Sequence, residues 1–466
     1  MADLMAYQRN VSCIDQQRQI QRPVTASPRL RLLCCVLAGF CVCDTTAVRA
    51  QEPWEKSRRA GADAREHGQY REARRWLEEA RSEAPFEAGD LRRADFDDEL
   101  AAVCQVLGDE REAERLYADA QNVLDLHPGD GNDIRAVVLG GIGLFRIRQG
   151  RLSEAEKALG AALESGRKAF GEHDVRMATV QSAMAQLYLV EEKPRSAEPL
   201  LQAAIDVLKK NGRASHAHDL VVAEVALGAL YTMDGRYPAA ESALLEAEET
   251  ARPLGDSTPE LAVILTNLAD LYRVEGRSSR GVPLLRRAQA MYTTAFGADS
   301  PRVAEILLDR SIDDIFSNKP GLAEESILQA LNTLRRANGP DHTAVALGEL
   351  RLAQAYILER KYTEAERLLD HAVEVQQRTY PEGHQLVAET LEQLAELHRL
   401  ENHFPEAEAL YRRAIAAYEK IGPPGAPSLA ITLREYAKLL RTTRVPEAKA
   451  LEKRADGLAS EIRAFR

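Results

Sequence analysis

Histidines in predicted loops are the side chains with the clearest potential to bind a metal ion. Three of them lie far apart along the chain, each interpreted as the same loop residue of a recurring pattern, so they cannot share one ion: His173, His342 and His384. His216 and His218 stand beside Asp219, but no further His or Cys is near enough in sequence to complete a site. We therefore predict no metal site and no cofactor.

The sequence also lacks a recognisable catalytic arrangement. Five of the six cysteines precede residue 50. The sixth, Cys104, lies in a segment whose pattern recurs along the chain, and it occupies a position where other copies of the pattern have Tyr. This position indicates a packed thiol. No string resembles a phosphate-binding P-loop, a G-x-S-x-G nucleophile turn, an H-E-x-x-H zinc site or a G-x-G-x-x-G dinucleotide loop. We expect no enzymatic activity.

A small residue recurs every 40 to 43 residues along the chain, which indicates internal repeats. The ten occurrences are Ala73, Ala113, Ala155, Ala197, Ala240, Gly281, Ala323, Ala365, Ala407 and Ala448. Seven residues after each is an alanine. Twelve residues before each, or eleven in the last case, is another small residue: Gly61, Ala101, Gly143, Ala185, Gly228, Ala269, Ser311, Ala353, Ala395 and Ala437. The pattern predicts ten internal repeats.

Helix geometry explains this spacing. Seven residues are two helical turns, so the two later positions share one face of one helix. The earlier small residue lies on a preceding helix, and small side chains at the crossing let two antiparallel helices approach closely. One such hairpin cannot bury its own apolar face, so neighbouring hairpins must stack.

The segments that carry these residues resemble a known repeat family. GQYREARRWLEEARSEAP (68–85) resembles the second half of a tetratricopeptide repeat, and FGEHDVRMATVQSAMAQLY (170–188) is similar to the kinesin-light-chain type of about 42 residues. The resemblance implies an all-α fold, a right-handed α-solenoid of about ten helical hairpins with a C-terminal capping helix. The expected repeats are 54–87, 94–127, 136–169, 178–211, 221–254, 262–295, 304–337, 346–379, 388–421 and 429–466, within a solenoid covering 51–466.

The first fifty residues are predicted to be an export leader. Arg22, Arg29 and Arg31 precede an apolar run at 32–43, and small residues end at Ala50 before Gln51. This order is typical of a secretory signal, and twelve residues are too few to span a bilayer. We expect a periplasmic or secreted chain without a membrane span after cleavage, or a cytoplasmic adaptor if the leader is not a signal.

Charge and fold together indicate the class of partner. The leader holds six Arg and three Asp, so the net charge of −11 becomes −14 without it, which disfavours nucleic acid. The resemblance implies a non-catalytic scaffold that binds a peptide or helix of a partner protein in its concave groove. The alternative is a regulatory subunit that acts in trans on a separate effector enzyme.

The resemblance places groove residues on the first helix of each hairpin. Repeats three to five would present mostly small or apolar side chains, among them Thr179, Ser182 and Val225, which could hold an apolar helix face. Repeats six to ten would present polar ones, including Asp270 and Asp309. The candidate peptide-binding residues are Asn267, Arg273, Arg351, Gln354, Gln393, Glu396, Arg399, Arg434 and Lys438. Asn267 resembles an asparagine that contacts a peptide backbone in the light-chain family, and the basic residues predict a preference for acidic ligands. Equally, these charges could be an ordinary solvated face in which Glu396 and Arg399 pair with each other.

Overall fold

A computed structural model of the chain describes residues 52–66, 68–87, 89–213, 215–255, 258–381, 383–422 and 425–465, so the predicted leader lies outside the described residues. Within these ranges the fold is all-α, and no helix is both long and apolar enough to cross a bilayer. The helices are α1 (Pro53–Glu66), α2 (Tyr70–Glu83), α3 (Leu91–Leu107), α4 (Glu110–Leu126), α5 (Asn132–Arg148), α6 (Leu152–Ala169), α7 (Val175–Val190), α8 (Pro194–Lys210), α9 (Ala217–Met233), α10 (Tyr237–Ala251), α11 (Pro259–Val274), α12 (Ser278–Phe296), α13 (Pro301–Phe316), α14 (Pro320–Asn338), α15 (Thr343–Leu358), α16 (Tyr362–Thr379), α17 (Gln385–Leu400), α18 (Phe404–Ile421), α19 (Ala426–Leu440) and α20 (Val445–Phe465).

Each odd-numbered helix packs against the even-numbered helix that follows it, which gives ten hairpins along the described chain. The first helices begin one to four residues before the predicted repeat boundaries. Capping explains the difference: the side chains of Asp90, Asp174 and Ser300 accept hydrogen bonds from backbone N–H groups in the first turn of the next helix. An N-cap fixes the helix start at that residue and adds a turn ahead of the periodic core.

Small residues are required where the two helices of a hairpin cross. A Cβ atom added to Gly143 would lie 2.4 Å from Leu159 Cγ, and one added to Gly228 would lie 2.6 Å from Leu244 Cγ. Both leucines are fully buried. The second-helix alanines Ala155 and Ala240 are also fully buried, so the periodic small residues form the hairpin interfaces as predicted.

The array curves with its first helices on the inner side. Most consecutive first helices contact one another, most extensively α3 with α5 and α5 with α7. The contacts of α15 with α17 and of α17 with α19 are smaller, and among the described residues α1 with α3 and α11 with α13 make the least contact. Consecutive second helices make no comparable contact among the described residues. The first helices therefore line a groove.

Repeats that are five apart in sequence touch each other, which the repeat pattern alone did not predict. The turns inside repeats one and two approach the starts of repeats six and seven. A Cβ atom added to Gly68 would lie 3.4 Å from Pro259 Cδ, and one added to Gly108 would lie 3.1 Å from Pro301 Cδ. Tyr70 Oη donates a hydrogen bond to Glu260 Oε1 at 3.4 Å. The solenoid thus completes one superhelical turn in about five repeats and packs against its own next turn.

Two histidines hold successive turns together. His342 Nε2–H donates to the carbonyl of Arg148 at 2.9 Å, while its Nδ1 caps α15 by accepting from the Ala344 N–H at 3.1 Å. His384 repeats this arrangement one repeat later, with the Val190 carbonyl at 3.1 Å. One neutral tautomer serves both bonds.

The sequence interpretation of these histidines needs a correction. His342 and His384 are the N-cap residues of their helices, but in repeat four the N-cap is Asp174. His173 therefore precedes the cap by one residue and is exposed. The three histidines do not share one structural position.

Candidate peptide-binding groove

Polar side chains form a continuous row along the groove in repeats six to nine. The row consists of Asp270, Arg273, Asp309, Arg351, Gln354 and Glu389. Arg273 pairs with Asp270 within α11. Burial opposes the charge of Arg273, but Asp270, Asp309 and Asp313 outweigh it and raise its pKa. The row therefore crosses repeat boundaries and is not a set of separate surface charges.

The second half of the row joins α15 to α17. Arg351 Nη1 donates to Gln354 Oε1 at 3.1 Å and also pairs with Glu389. Gln354 Nε2 donates to Glu389 Oε1 at 3.2 Å. Glu389 was not among the predicted groove residues. Its position could have indicated this role. Glu389 lies six residues before the small residue Ala395, as Thr179 lies six residues before Ala185, and this position points into the groove.

Asp309 is the carboxyl group of the row that makes no hydrogen bond within the described residues. Burial, followed by the negative charge of Asp270, raises its pKa well above the usual range, although Arg273 opposes the shift. A nearby cation would stabilise the ionised form of a carboxyl group whose ionisation is opposed by burial. Asp309 is therefore suited to receive a positively charged group.

Two predicted amides retain hydrogen-bonding capacity in the groove. Asn267 is half-buried, and its Nδ2 donates to the carbonyl of Val263 at 2.9 Å, which leaves Oδ1 without a partner in the described chain. Gln393, one repeat beyond Gln354, is half-buried and makes no hydrogen bond to the described residues. Both can supply donors or acceptors to an incoming backbone.

The remaining predicted residues lie apart from the row and are already paired. Glu396 accepts from Arg399 at 2.7 Å and from Tyr411 at 2.9 Å. Two exposed pairs lie in repeat ten: Arg434 with Asp456 at 3.1 Å, and Lys438 with Glu435 at 2.6 Å. Each predicted basic residue thus has an acidic partner within the described part of the chain.

The apolar groove predicted for repeats three to five needs a correction. Ser182 is 4% exposed and Val225 is 8% exposed, so both belong to the packed interior. Close contact between the first helices of these repeats covers such positions. Thr179 remains exposed, but the apolar surface is smaller than the sequence suggested. Cys104 is buried as predicted, and burial raises its thiol pKa to about 11.

Comparisons with known proteins agree with the architecture. The tetratricopeptide repeat family model matches residues 134–210 and 343–420, which cover repeats three and four and repeats eight and nine. No curated protein sequence matches the chain significantly.

Similar solved structures include a Rap protein complexed with Competence and Sporulation Factor, 13% identical with a TM-score of 0.56 over 80% of this chain and 99% of that one. The apo quorum sensor NprR from B. thuringiensis is 15% identical with a TM-score of 0.52, over 78% of this chain and 97% of that one. BtubC from P. vanneervenii is 20% identical but has a TM-score of 0.35, over 54% and 91%. The family model thus identifies tetratricopeptide repeats in two separate parts of the chain, residues 134–210 and 343–420, and the other described hairpins stack in the same way.

Proposed function

We propose that this protein is a non-catalytic interaction scaffold that binds a peptide or helix of a partner protein along the groove of repeats six to nine. The polar row supports this most directly. A peptide backbone that enters a groove loses its hydrogen bonds to water and needs replacements. The Asn267 Oδ1 and the side-chain amide of Gln393 flank the row without partners in the described chain, and the row itself offers both donors and acceptors.

The fold comparison is consistent with this role. A chain of the same fold has been solved with Competence and Sporulation Factor bound. At 13% identity that similarity concerns the fold, and the argument for binding therefore depends on the groove residues.

The chemistry of the groove favours a ligand with a basic side chain opposite Asp309. The row contains three carboxyl groups and two guanidinium groups, and the predicted basic residues outside it are compensated. A lysine or arginine of the ligand would satisfy Asp309 and favour its ionised form. This proposal replaces the acidic-ligand preference expected from the sequence.

Selection from a displayed peptide library against the full chain tests the proposal. We expect enrichment of peptides with a basic residue, and we expect Asp309→Asn to weaken their binding roughly tenfold, equivalent to about 1.4 kcal/mol. Asp299→Asn removes a carboxylate that is 86% exposed and lies ahead of α13, so it should leave binding unchanged. Enrichment of acidic peptides, or equal losses in both variants, would refute this part of the proposal.

Export remains a separate proposal. The basic flank, apolar run and small residues before Gln51 predict that a bacterial host would cleave the leader and release a chain that begins near Gln51. Fractionation followed by intact-mass measurement checks this. A cytoplasmic product that retains Met1 would contradict it and favour the cytoplasmic alternative.

A further inference from the structure

In four repeats the same contact joins the end of the first helix to the turn that follows it. In repeat four, Lys193 Nζ lies 5.9 Å from the centre of the Tyr188 ring and 2.8 Å from Glu191 Oε2. The same aromatic, acidic and basic residues recur at the same spacing in four repeats: Tyr188–Glu191–Lys193, Tyr231–Asp234–Arg236, Tyr272–Glu275–Arg277 and Tyr356–Glu359–Lys361. We call this set the junction triad.

A glutamate on the preceding second helix completes the contact in three of these repeats, where it is Glu198, Glu241 or Glu324. Tyr272 Oη donates to Glu241 Oε1 at 2.8 Å, and Tyr356 Oη donates to Glu324 Oε1 at 3.1 Å. Lys361 Nζ also lies 3.2 Å from Glu324 Oε2. The junction therefore brings one aromatic side chain, one cation and two carboxylates together between neighbouring repeats.

Repeat nine keeps both carboxylates of this junction but replaces the other two residues by histidine. His398 stands where the tyrosine would be, His403 stands where the lysine or arginine would be, and Glu401 keeps the acidic position. Glu366 on α16 is the preceding-helix glutamate, and its Oε1 lies 3.9 Å from His398 Nε2. The rings of His398 and His403 are 5.8 Å apart.

The resulting geometry fits a single cation. One ligand atom from each of His398, Glu401 and His403 lies within 4.8 Å of the other two. His398 Nδ1 is buried without a hydrogen-bond partner in the described chain, which is unfavourable for a polar atom. A cation bound at Nδ1 would remove this cost and would leave Nε2–H directed toward Glu366.

We propose that His398, Glu401 and His403 form a binding site for one divalent transition-metal ion of the zinc type. Two imidazoles and a carboxylate are a ligand set that Zn²⁺ accepts, with a fourth position left for water or another carboxylate. Glu366 is placed to orient His398 or to complete the shell. The site would link the turn of repeat nine to α16 of repeat eight. The proposal departs from the sequence prediction of no metal, which weighed the loop histidines and not this pair.

Isothermal titration of the full chain, made without a polyhistidine tag, with ZnCl₂ tests the site. We expect one Zn²⁺ per chain and no binding of MgCl₂, because magnesium prefers oxygen ligands. The variant H398Y/H403K installs the junction triad that four other repeats already use, so it should fold like the wild type by circular dichroism. We expect it to weaken zinc binding by roughly tenfold or more, because it removes both imidazole ligands.

Two further variants make the result decisive. His403→Ala changes a side chain that is 58% exposed, so it should weaken zinc binding without affecting folding. His371 forms a different cluster with Glu349 at 2.6 Å and Asp341 at 3.2 Å, and His371→Gln should leave binding unchanged. The proposal is overturned if the wild type binds no zinc, if H398Y/H403K binds it unchanged, or if His371→Gln removes the site.

Discussion

Replacing both His342 and His384 by alanine is expected to lower the free energy of unfolding by about 2–4 kcal/mol near pH 7.5. Each histidine caps a first helix and also donates to a carbonyl five repeats earlier, at Arg148 or Val190. The double variant therefore removes two caps and two contacts between superhelical turns. Thermal and urea unfolding followed by circular dichroism measure the change.

The same variant should alter the dependence of stability on pH. Burial lowers the pKa of His384 to about 4 and also lowers the pKa of His342. An unfolded histidine has a pKa near 6.5, so the unfolded chain binds more protons as the pH falls below that value. The contribution of these residues is therefore complete above about pH 6.5 and decreases as the pH falls toward 4. The variant should lose less stability than the wild type between pH 7 and 5.

A matched substitution is available at His173, which is exposed and is not an N-cap residue. His173→Ala should leave both the stability and its pH dependence unchanged. The account is contradicted if His173→Ala lowers the free energy of unfolding as much as the double substitution does. It is also contradicted if the double variant unfolds like the wild type, because the contact between superhelical turns would then not stabilise the protein.

Gly143→Ala is expected to destabilise the third repeat by about 1–3 kcal/mol. The new Cβ would lie 2.4 Å from Leu159 Cγ, and Leu159 is fully buried, so the two helices must separate or the leucine must leave its rotamer. Gly160→Ala is the matched control on the other helix of the same hairpin. It meets nothing within 4 Å and should stabilise by up to about 1 kcal/mol through helix propensity.

Urea unfolding of the two variants separates the crossing from the general effect of adding a methyl group to a helix. Equal effects in the two positions would mean that the crossing tolerates a larger residue. The periodic small residues would then need another explanation than close helix approach.

The hairpins could be predicted because their determinants are local. Gly143 and Ala155 are twelve residues apart, and helix geometry alone relates them. Helix starts were less predictable, since they depend on capping side chains such as Asp174 that lie outside the periodic pattern. The contact between Arg148 and His342 spans 194 residues. This contact depends on the small rotation between each repeat and the next, which accumulates over five repeats and cannot be predicted from a short sequence motif.

The groove was predicted less completely, for a related reason. The resemblance placed the groove on the first helices, most of which contact one another along the array, but the effect of a charge depends on its neighbours on other repeats. Arg351 pairs with Glu389, which is 38 residues away in sequence. This pairing compensates the charge of Arg351, so the groove is no longer expected to prefer acidic ligands. His398 and His403 become informative only when their positions are aligned with the junction triads of the other repeats.

Photo-crosslinking tests the central claim, that the inner face binds the partner, most directly. A photoreactive phenylalanine analogue would replace Val263, which is 37% exposed on the first helix α11, or Leu328, which is 44% exposed on the second helix α14. A peptide selected on the wild-type chain should crosslink at position 263, with competition by excess unlabelled peptide, and should not crosslink at position 328. Crosslinking at position 328 without crosslinking at position 263 would contradict the proposed groove.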